Sequence, residues 1–500
     1  MAVYVLKLSV REHITKAIFL NACQCTTWGR LDLMSEPEPM TPALEWQFWM
    51  GNEIGRRARA FLGAGELLQT APVGQAARLS QAAVQDPESN ILFEVTLQSG
   101  AFVARADGLR RQLDGWELVE VKSSKSPEDG KVRRDHIEDV AYTLFVARMT
   151  GLTVHKCTLV LLNRDHTAAA TGDKSIPNGR DMFVAVDVTD AACRSADVFA
   201  ARADEIAGAL MGAIAPAPEL IYACRLCPHF ADKCIGREIP DPVFDIPRLS
   251  EKAFEEIRGY ERISRIPPHT TFTPIQQRYI DTVWSGAPWL GKHGLAALDR
   301  VVWPAYYLDF EGIAPAVPWF AGQQPYDVSP FQYSIHVRSG PGAETTHYEY
   351  LADPGLDWRR DLVEALLRDL GSSGSIVVYS AYERTQLVAL ARLFPDLAAH
   401  IEACVARLFD LEPLFKHGYV HPRFRGRTSI KVVLPVLTGQ TYEDLAIADG
   451  LTAAAVFGLM RTGSYTAESH AEHRADLLRY CALDTWAMVR LHEEVMRLSG

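Results

Sequence analysis

The chain has 500 residues, 48% of them hydrophobic and 23% charged, and its 51 Lys and Arg stand against 62 Asp and Glu, so 51 − 62 gives a net charge of −11. This is the composition of a globular chain long enough for two or three domains, which excludes a single small module and wholesale disorder. So acidic a chain is not a tail-driven polyanion binder, and any contact with nucleic acid has to come from a local basic patch.

The opening stretch MAVYVLKLSVREHITKAIFL is broken by Lys7, Arg11, Glu12 and Lys16, so it lacks the unbroken apolar run of a secretory signal. Nor does any later stretch approach the roughly 18 apolar residues that a membrane span needs. The expectation is a cytoplasmic chain with no membrane partner. Nine cysteines in 500 residues are too sparse for a disulfide scaffold.

Cys23 and Cys25 come first, in FLNACQCTTWGRL. In LFEVTLQSGAFVARADGL, the alternation of Phe93, Val95 and Leu97, resumed at Phe102 and Val103, predicts a hairpin turning at QSG. WELVEVK follows as another strand. Asp107 and Glu120 then lie on neighbouring strands, and Glu120 and Lys122 project from one face because side chains alternate along a strand. Two carboxylates beside an ammonium suit Mg2+ or Mn2+ held by oxygen ligands, with the lysine positioning a nucleophile. Glu94 is a further candidate ligand. The run KSSKSPEDGKVRR after Lys122 would flank this site with positive charge.

Cys224, Cys227 and Cys234 form C-x2-C-x6-C in IYACRLCPHFADKC. Three thiols need a fourth ligand, which either early cysteine could supply, and thiolates so spaced select an iron-sulfur cluster or zinc. His229 inside the loop keeps zinc open as an alternative. Cys157, Cys193, Cys404 and Cys481 stand alone in apolar or amphipathic stretches and read as small buried hydrophobes.

Residues 241–300 are interrupted by proline and read as a connector with one small helix, SEKAFEEIRGYERI. AYYLDFEG is then a strand that puts Asp309 and Glu311 on one face. SIVVYSAYERTQLVALARLF is a β-run entering a helix with Glu383 at the junction, and Asp410 in RLFDLEPLF rivals Glu383 as a third acid. HPRFRGRTSIK carries Arg423, Arg425, Arg427 and Lys431 with Phe424 interleaved; guanidinium suits phosphate and an aromatic ring can stack on an unpaired base. The closing segment is a long helix with Leu477, Cys481, Met488 and Leu491 at helical spacing and Tyr480 one turn before Asp484.

Residues 10 to 240 resemble the RecB-like branch of the PD-(D/E)XK nucleases, whose iron-sulfur members bracket the core with one early and three late cysteines. The resemblance implies a restriction-endonuclease-like α/β fold over 1–240, Asp107 and Glu120 as metal ligands, Lys122 as the catalytic lysine, and a [4Fe-4S] cluster on Cys25, Cys224, Cys227 and Cys234. Two features depart from that pattern. The stretch MGNEIGRRARAF has no histidine where many such nucleases bind metal, and DHIEDVAYTLFVAR offers Tyr142 and Thr143 without the expected glutamine.

Residues 301–500 resemble the DEDD exonucleases of the RNase H-like α/β fold. That resemblance implies divalent ions on Asp309, Glu311, Glu383 and Asp484, with Tyr480 orienting the attacking water. The order of the two regions is similar to an uncharacterised bacterial family in which a RecB-like region precedes a DEDD-like domain. What the resemblances imply is a metal-dependent nuclease, exonucleolytic on DNA or RNA, acting in processing, repair or defence. The alternative is a nucleic-acid-binding scaffold with one or both sites degenerate. No G-x4-G-K-[ST] loop is present, so a motor would have to be a separate helicase or ATPase partner.

Overall fold

A computed structural model of the chain describes residues 12–36, 38–68, 71–168 and 181–499; Lys7 and Arg11 lie outside them. The fold is mixed α/β and divides into two compact units. The first takes the described residues of Met1–Met40, Gln47–Arg237 and Pro315–Asp327, the second those of Thr41–Trp46, Glu238–Ala314 and Val328–Gly500. Among the described residues no helix is long and apolar enough to cross a membrane.

The first unit holds a six-stranded sheet in sequential order, β1 (Glu66–Leu67), β2 (Ile91–Ser99), β3 (Phe102–Gln112), β4 (Gly115–Lys125), β5 (Val154–Leu162) and β6 (Phe183–Asp187). The β2, β3 and β4 strands form an antiparallel meander, with the first turn at Gly100 as the sequence pattern predicts. Helix Arg134–Met149 crosses from β4 to the parallel β5, the βαβ connection that parallel pairing requires. Its run from Val140 to Ala147 is wholly buried. Phe19 sits at the centre of the packing, its ring 5.1 Å from that of Tyr142 and 5.3 Å from that of Phe199. Full burial of such a ring makes truncation to alanine cost about 3–5 kcal/mol.

The second unit holds β8 (Ala305–Ile313), β9 (Ser329–Arg338), β10 (Thr345–Leu351), β11 (Ser375–Val378) and β12 (Leu408–Asp410) in the order β10-β9-β8-β11-β12. Strands β10, β9 and β8 are antiparallel, whereas β8, β11 and β12 run parallel. A two-stranded ribbon joins β7 (Trp289–Leu290) to β13 (Tyr419–Val420). The helix Ala467–Ser499 buries Leu477, Cys481, Met488 and Leu491, the face expected from their spacing.

Residues 241–300 fall in the second unit and are packed into it, not strung out as a free linker. Val243, Ile246, Phe254, Ile263, Tyr279 and Ile280 are all buried. Prolines keep the helices there short, the longest being Pro274–Ser285, so these apolar residues follow neither helical nor strand periodicity.

Candidate functional sites

The parallel strands β8, β11 and β12 end on the same side, and the carboxyl ends of parallel strands are where open α/β sheets place ligands. Pairing of β8 with β11 stops at Tyr307 and Val377, so Asp309 and Glu311 extend past the end of β11. There the chain turns into helix Tyr382–Leu393, with Glu383 in its first turn. Asp484 arrives from helix Ala467–Ser499. Asp309, Glu311 and Asp484 each offer an oxygen within 4.8 Å of the others, the one such metal-sized group of His, Cys, Asp or Glu among the described residues.

Glu383 is 3% exposed. Its carboxylate accepts hydrogen bonds from its own N–H and that of Phe310 on β8, while Oε2 is buried with no hydrogen-bond partner. Asp410 is committed otherwise: its Oδ1 accepts from the N–H groups of Ser380 at 3.0 Å and Glu412 at 2.9 Å, fixing the turns after β11 and β12. Glu383 lies outside the metal-sized group, but its charge acts on Asp309 and Glu311 and it keeps a buried oxygen without a hydrogen-bond partner.

Two tyrosines and a lysine complete this centre. Tyr442 donates to Asp484 Oδ1 at 2.6 Å, and the Tyr480 hydroxyl also bonds Asp484. Lys431 Nζ donates to Tyr480 Oη at 2.9 Å and to the Ala448 carbonyl at 2.6 Å. The chain of helix Gly450–Thr462 passes close by, for a Cβ on Gly450 would stand 3.2 Å from Glu311 Oε2. A side chain there would crowd the carboxylate by a few tenths of an ångström.

Burial and mutual repulsion raise the pKa of each of these acids. Burial, then Asp484, Glu311 and Glu383, push Asp309 well above the carboxylate range, and Glu311 is raised by burial and Asp484. Glu383 is pushed up to about 8 by burial, with Asp410 and Asp484 adding to it. Asp484 is raised by burial although Tyr442, Lys431 and Tyr480 oppose. Carboxylates gathered this way cannot all ionise without a cation among them.

In the first unit, the Asp107 carboxylate accepts from the Val121 N–H at 2.7 Å, and burial with the charge of Glu120 pushes it up to about 7. Glu120 is 3% exposed and accepts from both Lys16 Nζ at 2.5 Å and Lys122 Nζ at 3.1 Å through Oε1, leaving its buried Oε2 without a partner. Lys122 also pairs with Asp139. Burial would pull the Lys122 ammonium down, but Glu120 and Asp139 outweigh it and raise its pKa. Lys122 is thus a charged donor at neutral pH, not a base. Glu94 takes φ 59 and pairs with Arg59 at 3.5 Å and Arg105 at 3.6 Å. These acids do not gather into a metal-sized group. A cleft of about 370 Å³ is lined by Glu94, Asp107 and Lys122, with Gly51 and Gly55 on its wall where the expected histidine is missing.

Cys25, Cys224, Cys227 and Cys234 line one small cavity with Trp28 and Phe230. Cys25 stands in the extended break between helices Lys16–Gln24 and Thr26–Met34, whereas Cys23 packs against the hydrophobic core. His229 is not on the cavity wall; its Nε2 bonds Asp32 at 2.7 Å and its N–H bonds Cys227. Trp28 Nε1 is buried on that wall without a hydrogen-bond partner.

The basic run separates into different uses. Arg423 and Arg427 are exposed, Arg425 pairs with Asp245 at 2.8 Å, and Lys431 belongs to the acidic centre. Phe424 is 1% exposed and packs on Phe415 and Tyr419, so it presents no open stacking face. Cys193 is half-buried and accepts from Arg148, and Cys481 reaches Asp309 Oδ2 at 3.5 Å. Sequence reasoning missed Lys16, Asp139 and Tyr442 as site residues. Asp139 had a weak signal, lying on the helix after the lysine strand; Lys16 and Tyr442 had none.

A family model described as a domain of unknown function (DUF2779) matches residues 306–429. That span holds Asp309, Glu311, Glu383 and Asp410 and stops short of Lys431, Tyr480 and Asp484. No curated protein and no solved structure matches the chain.

Proposed function

We propose that the chain is a metal-dependent nuclease that hydrolyses phosphodiester bonds of DNA or RNA, with its principal active centre in the second unit. The observation that carries this is the convergence of Asp309, Glu311 and Asp484 beside the unpartnered Glu383 oxygen. Hard oxygen donors on a rigid sheet and helix fit Mg2+ or Mn2+. Bound there, such ions would neutralise the phosphodiester and lower the pKa of a water. Lys431 and Asp484 fix the Tyr480 hydroxyl, the group we assign to orienting that water. An RNase H-like fold is favoured by three antiparallel strands continued by two parallel ones, with acids at the parallel carboxyl ends.

For the first unit we propose a restriction-endonuclease-like core bearing a [4Fe-4S] cluster on Cys25, Cys224, Cys227 and Cys234. The meander and crossover, with Asp107 and Glu120-Val121-Lys122 on adjoining strands, favour the former. Four thiols around one cavity and the unsatisfied Trp28 N–H support the latter, with zinc on the same thiols as the alternative. A second reading has a specific observation behind it here. Lys16 and Lys122 neutralise Glu120 and Asp139, so this site is balanced without a metal, as a degenerate, nucleic-acid-binding site would be.

The test is release of nucleotides from labelled single-stranded DNA and RNA with Mn2+ by wild type, Lys122→Ala and Asp309→Ala. Loss in Asp309→Ala with activity kept in Lys122→Ala is the expected pattern. A wild type, purified anaerobically, that releases nothing ends the nuclease reading.

A further inference from the structure

A second cavity in the second unit, about 370 Å³, belongs to none of the sites above. That volume lies at the low end of small-ligand pockets, which run from roughly 300 to 1,000 Å³. One side comes from the segment expected as a connector, through Pro247, Arg248 and Ile275; the other comes from Val420, Gly426 and Arg427. The two sides are clamped. Arg425 pairs with Asp245 at 2.8 Å and Tyr279 donates to the Pro422 carbonyl at 3.3 Å, while within the connector side Gln276 Nε2 donates to the Pro247 carbonyl at 3.1 Å. Gly426, at φ +69, lies so close to the Asp245 carbonyl that an added Cβ would stand 1.9 Å from its oxygen.

We propose that this cavity is a subsite for one unpaired nucleotide of a single-stranded nucleic acid, with the base among the apolar walls and a phosphate between Arg248 and Arg427. The assignment rests on the nuclease reading of the acidic centre and narrows its substrate to single strands. Charge complementarity identifies the occupant. Arg425 is paired with Asp245, and the charge of Arg427 also acts on that carboxylate; Arg248 and Arg427 are exposed and neither forms a salt bridge among the described residues. Two exposed guanidiniums at the rim of an apolar pocket match a flat apolar group that carries an anion.

Position points the same way. Thr428 and Ser429 form part of the cavity wall, and the helix that begins at Ile430 carries Lys431, which holds Tyr480 in the acidic centre. Tyr379, just before the turn to Glu383, donates to the Thr428 carbonyl at 2.7 Å. One short segment, 428–431, therefore walls both the cavity and the centre. A base can enter such a pocket only after leaving its stack and its pair, which costs a few kcal/mol in a duplex and little in a single strand.

The test is equilibrium binding of a fluorescein-labelled strand of about ten nucleotides, as DNA and as RNA, to the full chain in EDTA at fixed salt. Wild type should bind at least one strand type, and more tightly than the blunt duplex of that sequence. Arg248→Glu and Arg427→Glu should each weaken binding about tenfold, and so should Ile275→Trp, which fills the cavity without changing charge. Arg194→Glu, the same charge reversal in the first unit, should change it less than about twofold. The proposal is overturned if the three cavity variants bind like Arg194→Glu, or if wild type binds neither strand or prefers the duplex. Failure of the nuclease reading shows separately, as wild type that releases no nucleotides with Mn2+, and leaves this comparison intact.

Discussion

Replacing Glu383 by glutamine should stabilise the metal-free chain, although it removes a proposed metal ligand. The carboxyl is buried and pushed up to about 8 from an ordinary 4.5. Below pH 4.5 it is protonated folded and unfolded, and the shift has no effect. Between 4.5 and about 8 the unfolded chain ionises while the folded one keeps its proton, so stability falls as pH rises, and above about 8 the whole shift is lost. At pH 7 the group has crossed about 2.5 units of that window, which costs roughly 3 kcal/mol. Glutamine keeps an oxygen for the Phe310 N–H and never ionises, so in EDTA it should recover most of this, raising the melting temperature of the affected unit by about 6–12 °C. At pH 4.5 the two proteins should melt together. With Mn2+ the order should reverse: wild type gains about 3 kcal/mol at a hundredfold excess over Kd, and the variant gains much less. Thermal melts of both proteins at pH 4.5 and 7, with EDTA and with Mn2+, decide it. A variant that melts below wild type in EDTA at pH 7 would falsify the picture of a strained acidic cluster awaiting a cation.

Other expectations follow from the same geometry. Cys25→Ser should abolish the absorbance near 400 nm of anaerobically purified protein while Cys23→Ser keeps it; colourless wild type holding stoichiometric zinc would reject the cluster. Lys16→Met removes one of two ammoniums from buried Glu120 and should destabilise the first unit by about 1–3 kcal/mol, read by denaturant melts; an unchanged midpoint would mean that Lys122 alone satisfies Glu120. Gly426→Ala adds a Cβ against the Asp245 carbonyl at a positive φ and should cost more than about 2 kcal/mol in the second unit; a variant that melts like wild type would contradict that close approach.

Local pattern made much of this readable. Alternation placed the 91–125 meander and put Asp309 and Glu311 on one strand face, and helical spacing put Tyr480 over Asp484. What could not be read is what long loops bring together. Lys16 reaches Glu120 from 104 residues away, and Tyr442 reaches Asp484 from 42 away, with no periodicity linking either pair. Glu383 and Asp410 look alike as acids at strand ends, and both accept backbone N–H groups; only the buried, unpartnered second oxygen of Glu383 separates them. Lys431 read as part of a basic patch because a run of charges carries no information about which way each side chain turns.

The second unit also has an unusual consequence for dissection. Strand β8 ends at Ile313 and β9 begins at Ser329, yet Pro315–Asp327 between them is counted in the first unit, where Ala316 joins Ile54, Phe183 and Val160 in a hydrophobic cluster. A hairpin loop of one unit is thus a core segment of the other. Fragments cut at 240 or 300 would strip the first unit of that segment and leave the second carrying buried Ala316 and Phe320 into water. The two candidate sites are better separated by point substitution in the whole chain than by halving it.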